Sequence, residues 1–188
     1  MNKDEGDFLS QNKLPIDDLA VRHLGLTQAI GDTYTEAARV CLDRHHIPPV
    51  GFTIDDEGAG QDATADWDVT DERTRGAWAN DDDATEAGAY AFALAAVQMV
   101  KGMVAVRRAE TKTGADYYVS LPGQGEEDFE DCIRLEISGV DSGSIARVRQ
   151  RLLAKLDQAA SGASNLPAMA GVVGFKARSL SHNGLHSP

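Results

Sequence analysis

Between Asp83 and Gly102 the chain carries a helix that is apolar on nearly all sides. Ala87, Gly88, Ala89, Ala91, Ala93, Ala95 and Ala96 alternate with bulkier apolar residues, and Gln98 is the one strongly polar interruption. Such a helix has no polar side to give to water, so other elements must cover most of its circumference. Its small residues let those elements approach closely. Asp83 with Glu86 three residues on reads as a capping box that starts the helix at Ala84, and Gly102 ends it after Lys101. The apolar run over residues 87–100 is 14 residues long, short of the roughly 20 that span a bilayer. It therefore reads as the buried helix of a soluble protein, with no membrane partner.

Beyond Gly102 the pattern changes to strands. Residues 103–108 form the first, and a turn at Thr113-Gly114 leads to a second over residues 116–121, which Pro122-Gly123 ends. A polar connection over residues 124–131 leads to a third over residues 132–140. Strand side chains alternate between faces, so Glu136 and Ser138 share one face while Ile133, Leu135 and Ile137 share the other. Ser144 then opens a helix over residues 144–160, with Ile145, Val148, Leu152, Leu156 and Ala159 at helical spacing. Its polar side carries Arg147, Arg149, Arg151 and Lys155. Residues 170–180 read as a last strand. Three sequential strands can form a meander, and a helical crossover returns the last strand parallel to one already in the sheet. The expected class is α/β: one mixed sheet with helices on both faces.

The N-terminal part is read more coarsely. Residues 1–13 are polar and expected to fray. A helix is expected over residues 15–23, interrupted at Gly25, and a second over residues 33–45, stopped by Pro48-Pro49. Residues 50–54 suit a short strand. Residues 55–75 are acidic and weakly patterned, although Trp67 and Trp78 need apolar contacts. The resulting domain organisation is residues 1–80 as a helical extension with an acidic loop, residues 81–180 as the core, and residues 181–188 as a loose tail.

Charge limits the functional classes. The net charge is −12. From Asp55 to Glu86 twelve acidic residues face only Arg73 and Arg75, so this segment alone holds −10. This balance disfavours a protein that coats nucleic acid by bulk charge, while a local basic groove is not excluded. The two cysteines, Cys41 and Cys132, lack metal-like spacing and suggest no disulfide framework. The segment MNKDEGDFLSQNK has no apolar signal core, so the expected location is cytoplasmic.

Chemistry concentrates between Thr111 and Ser138. Asp116 at the start of one strand and Glu136 in the middle of the next can bring two carboxylates to one metal ion. Asp116 equally suits a turn residue bonded to its own backbone. Glu136 sits between Leu135 and Ile137, where an unpartnered carboxylate is costly. It either reaches solvent, pairs with Arg134 or another base, or belongs to a site, and the site is the favoured reading. For Glu86 the capping role is sufficient. The His45-His46 pair has no third ligand nearby and reads as structural. Asp81-Asp82-Asp83 reads as a helix start favoured by the helix dipole.

The element order, with the segments TGADYYV, RLEISG and GVVGFKAR in sequence, resembles the PD-(D/E)xK nuclease superfamily over residues 84–180, in particular its small bacterial members. The resemblance implies a restriction-endonuclease-like core of helix, three strands, helix and strand. It implies Asp116 and Glu136 as metal ligands and Glu86 as the acid from the first helix. It further implies magnesium- or manganese-assisted cleavage of nucleic-acid phosphodiesters, in bacterial defence or a mobile element. Magnesium takes one or two carboxylates and keeps several waters, and the bound ion activates a water and neutralises phosphate charge.

One residue departs from the pattern: Ser138 stands where the motif has lysine, and serine supplies no cation. Three lysines are candidates to replace it, Lys112 and Lys176 ranked equally and Lys155 below them. Two other readings stay open. One is a catalytically silent accessory protein whose acidic segment docks on a basic partner. The other is a structural subunit that pairs through a sheet edge or apolar helix, for instance as a homodimer. A nuclease requires Asp116 and Glu136 close together with a lysine beside them. A silent protein predicts carboxylates that are apart or salt-bridged.

Overall fold

The computed structural model describes residues 12–162 and 164–185. The expected fraying of residues 1–11 and the last three residues of the tail lie outside these. The architecture is α/β, with a seven-stranded mixed open sheet and, among the described residues, five helices. In chain order these are α1 (Leu19–Arg22), α2 (Gln28–Asp43), β1 (Val50–Asp56), β2 (Ala59–Ala65), α3 (Glu72–Ala77), α4 (Asp81–Lys101), β3 (Val104–Arg108), β4 (Tyr117–Ser120), β5 (Ile133–Val140), α5 (Ile145–Ala160), β6 (Ala168–Gly174) and β7 (Ser179–Leu185). The sheet order is β2-β1-β7-β6-β5-β4-β3. Strands β3, β4 and β5 form the expected antiparallel meander. Helix α5 then crosses over to β6, which lies parallel to β5. Among the described residues no helix is long and apolar enough to cross a membrane.

Helix α4 is buried as its composition requires: Ala89, Ala91, Phe92, Ala93, Leu94, Ala95, Ala96 and Val97 are all fully covered. It packs with α2 on one face of the sheet. Phe92 lies between Phe52 of β1 and Phe175, with ring centroids 5.0 and 5.4 Å away. At the other end, Gly139 of β5 permits close approach: a Cβ there would sit 2.6 Å from the Thr85 carbonyl oxygen. The opposite face of the sheet carries α5. Val148 and Ala159 are its buried anchors.

Several boundaries differ from the expectation. Helix α4 starts at Asp81, because Asn80 caps it by accepting from the Asp82 and Asp83 amides. Asp83 is therefore in the first turn, and Glu86 lies inside the helix instead of closing a capping box. The expected helix over residues 15–23 shrinks to α1. Residues 12–14 instead pair with the edge of β2, through Leu14 N to Thr64 O and Thr64 N to Asn12 O at 2.8 Å each. Helix α2 starts earlier than residue 33, capped by Thr27. The acidic stretch 55–75 is not merely an excursion. Glu57 and Gly58, both with positive φ, turn the chain from β1 into β2, and Asp71 caps α3. Trp67 is buried and donates to Asp43 Oδ1 at 2.7 Å.

The last expected strand is two strands, β6 and β7, split by a turn at residues 175–178 with Arg178 at φ 52°. Residues 181–185, expected to be loose, are paired in β7 along β6. Strand β7 also pairs in parallel with β1, so the first 80 residues contribute two strands to the same sheet.

Candidate functional site

Strands β4 and β5 pair from Val119↔Ile133 to Tyr117↔Leu135 and then part. Where they separate, the Ile137 amide is left without a strand partner on that side, and the Asp116 carboxylate accepts from it through Oδ2 at 2.7 Å. The Asp116 backbone is held on both sides, donating to Leu135 O at 2.8 Å and accepting from Ala109 N at 2.9 Å. Asp116 is thus fixed by the split in the sheet as well as by its turn. A cavity of about 960 Å³ opens there, walled by the N-terminal half of α4, the β3–β4 turn, β5 and the C-terminal half of α5.

Glu136 points into this cavity from β5, on the α5 side, as strand alternation predicts. Its side chain is 5% exposed, and Lys155 of α5 donates to Oε1 at 2.6 Å. The expected partner Arg134 is used otherwise: its guanidinium donates to the backbone carbonyls of Thr113, Ala159 and Leu166. It thereby ties the β3–β4 turn to the end of α5. Burial raises the Glu136 pKa, and Asp116 adds to the rise while Lys155 opposes it. The electrostatic coupling of the two carboxylates arises from their shared cavity.

The cations are arranged by α5. Arg151, Lys155 and Gln158 recur at helical spacing toward the cavity. Arg151 donates to Ser138 Oγ at 2.9 Å, and Lys155 also donates to Gln158 Oε1 at 3.0 Å. Ser138 thus receives an arginine from α5. Lys112, with φ 77°, lines the cavity from the β3–β4 turn. Lys176 lies in the β6–β7 turn, where its amide donates to Asp141 O, and is not part of the cavity wall. Of the three lysines, Lys155, ranked below the other two, is the one bonded to Glu136, while Lys112 shares the cavity wall and Lys176 does not. A residue so far along the crossover helix can reach β5 because α5 lies directly over β5 and β6.

Glu86 is exposed and lines the cavity, one helical turn from Tyr90. Two residues that were not among the expected site residues complete it. Tyr90 donates to Asp116 Oδ1 at 2.9 Å. Arg108, the last residue of β3, donates to the Tyr90 hydroxyl at 3.0 Å and to Asp116 Oδ1 at 3.2 Å. Its guanidinium lies 4.7 Å from the Tyr90 ring centroid and 4.8 Å from that of Tyr117. Burial alone would lower the Arg108 pKa, but Tyr90 and Asp116 hold it above its ordinary value. Burial and the Asp116 charge push the Tyr90 hydroxyl up. Both tyrosine and guanidinium thus stay protonated donors.

The donor chemistry fits a hard divalent cation: two carboxylates in one polar cavity, with room for waters. Among the described residues no group of three or more His, Cys, Asp and Glu is arranged as a metal site; Asp116, Glu136 and the expected third acid, Glu86, all line this cavity. His45 and His46 stand elsewhere, bonded to Asp141 Oδ1 and Phe175 O. Compared with models of protein families, with curated proteins and with solved structures, the chain gives no match.

Proposed function

We propose that this cavity is a metal-dependent phosphodiesterase site for nucleic acid, and that α4, β3–β5, α5 and β6 are a restriction-endonuclease-like core. The observation that carries the reading is Lys155 against Glu136 in the cavity that also holds Asp116. A lysine stands at the acid pair although the motif position holds serine. In this reading Asp116 and Glu136 would hold magnesium or manganese, which would supply an activated water and neutralise phosphate charge. Lys155 steadies the attacking water or the charge that develops on phosphate. Arg151, oriented by Ser138, adds a donor for a phosphate oxygen. The chain as a whole is acidic, so affinity for substrate is concentrated at the cavity cations Arg108, Lys112, Arg151 and Lys155.

The test is cleavage of labelled single- and double-stranded DNA and RNA with Mg²⁺ or Mn²⁺. Wild type is expected to cut at least one of them. Lys155→Ala is expected to lose about 10²- to 10³-fold, and Asp116→Asn at least as much. Wild-type cleavage that Lys155→Ala and Asp116→Asn leave unchanged would place the chemistry elsewhere.

A second reading has its own observation. Each carboxylate already faces a cation, Asp116 with Arg108 at 3.2 Å and Glu136 with Lys155 at 2.6 Å. A salt-bridged pair is what a catalytically silent accessory protein predicts. Such a protein would dock a basic partner through its acidic segment, and it would neither cut nucleic acid nor bind the metal at this cavity.

A further inference from the structure

The two carboxylates hold their cations very differently. Lys155 is 15% exposed and reaches Glu136 from a helix packed on the sheet. Arg108 is 47% exposed at the rim of the cavity, and it has a second place to rest. A bulge in β3 creates that place. The β3–β4 register runs Ala105↔Val119 and then Arg107↔Tyr118, so Val106 is the extra residue. Without it Arg107 would stand opposite Tyr117. With it Arg108 does, and bulges commonly re-aim side chains in this way. The guanidinium is then held between two tyrosine rings, an attraction that survives if its contact to Asp116 is lost.

The Asp116 oxygens are unequal in the same sense. Oδ2 is fixed by a backbone amide of the sheet. Oδ1 accepts from two side chains, the hydroxyl of buried Tyr90 and the guanidinium of half-exposed Arg108. A divalent cation held by Asp116 would repel the guanidinium at Oδ1, while the bond from the Ile137 amide to Oδ2 would hold the carboxylate in place.

We infer that Arg108 is a positioning residue that occupies Asp116 until a divalent cation takes its place, and that the displaced guanidinium, still held by Tyr90 and Tyr117, becomes a phosphate contact at the rim of the cavity. This rests on the metal-dependent phosphodiesterase reading: its first half on the proposed ion site and its second half on the proposed substrate. The salt bridge that argues for a silent protein is then the metal-free resting arrangement of a working one.

The experiment is a calorimetric titration of Mn²⁺ into wild type, Arg108→Gln, Arg108→Lys and Tyr90→Phe, with thermal melts to establish folding and steady-state cleavage kinetics alongside. Arg108→Gln removes the competitor and is expected to bind Mn²⁺ about two- to fivefold more tightly. Its KM for nucleic acid is expected to rise, because the phosphate contact is lost. Arg108→Lys keeps the charge without the planar fork and is expected to fall between. Tyr90→Phe removes one donor to Oδ1 and also the hydroxyl that accepts from Arg108, with both charges kept, so it loosens the hold on Oδ1 even if the arginine variants fail to fold; a modest tightening is expected. Mn²⁺ binding by folded Arg108→Gln and Tyr90→Phe that is no tighter than wild type would overturn the exchange, while wild-type cleavage would leave the functional reading standing. Tighter binding with no cleavage by any variant would uphold the exchange and overturn the functional reading. Absence of Mn²⁺ binding in every protein would overturn both.

Discussion

The two sides of β5 face different environments. Leu135, Ile137 and Gly139 look toward α4, into a layer of alanines and aromatic rings. Arg134, Glu136 and Ser138 look toward α5, and each meets a charged or polar partner: three backbone carbonyls for Arg134, Lys155 for Glu136, Arg151 for Ser138. The apolar side is stabilised by area removed from water, which is non-directional and tolerant. The polar side is held by short, directed bonds between buried groups, where a single missing partner is costly. The same strand thus serves stability on one face and chemistry on the other, and substitutions on the two faces should separate these effects.

The largest effect is expected from the apolar side. Phe92→Ala removes a ring packed between Phe52 and Phe175 and should cost about 3–5 kcal/mol in urea unfolding. Metal binding by the fraction that stays folded should be unaffected. If Phe92→Ala abolished metal binding while the fold melted normally, the separation of the two faces would fail.

The next largest effect is a pH dependence. His182 of β7 is completely buried on the α4 side, and burial lowers its pKa to about 4, with Asp56 opposing and Lys101 reinforcing. A depressed histidine stabilises the fold above its unfolded value of 6.5, and that stability is lost as pH falls toward 4. The loss should be about 3 kcal/mol. His23, whose pKa burial also lowers to about 4, acts in the same direction. Unfolding curves between pH 7 and 4 should show the decline, and His182→Gln should flatten it. An unchanged slope in that variant would remove His182 from the account.

On the polar side the sign is opposite. The Glu136 pKa is raised, so its contribution to stability is present at low pH and lost as pH rises through its folded value. Lys155→Ala leaves this carboxylate without its cation, and the variant should be less stable by about 1–3 kcal/mol. That deficit should grow as pH rises, because protonation of Glu136 at low pH removes the need for the cation. A deficit that does not grow with pH would mean that Lys155 acts through packing and not through Glu136. The smallest effect belongs to Ser138→Ala, which loses the bond to Arg151 and should cost at most about 1 kcal/mol, with metal affinity unchanged.

Much of this arrangement is legible in the sequence, and the reason is local periodicity. The apolar helix, the alternation of Glu136 and Ser138 against Leu135 and Ile137, and the crossover helix all come from residue spacing. Capping is less legible, because Asn80 and Asp83 both offer an acceptor and only packing decides which turn comes first. That decision changes the role of Glu86 from cap to cavity residue. The split of residues 168–185 into two strands is hidden because a four-residue turn, Phe175 to Arg178, contains neither Gly nor Pro. Arg108 is hidden by the bulge at Val106, since strict alternation would put Arg107 opposite Tyr117. Tyr90 does carry a signal: Asp82, Glu86 and Tyr90 recur every four residues and form one stripe along an otherwise apolar helix. Lys155 carries the same kind of signal, with Arg151 four residues before it.

The measurement that bears most directly on the central claim is a calorimetric titration of Mg²⁺ and Mn²⁺ into wild type and Glu136→Gln. The variant keeps the shape of the side chain and a hydrogen bond for Lys155 but removes the ligand charge. A divalent-ion site at Asp116 and Glu136 predicts binding by wild type that is lost in Glu136→Gln. Binding that persists undiminished in the variant, or a wild-type protein that binds neither ion, would contradict it.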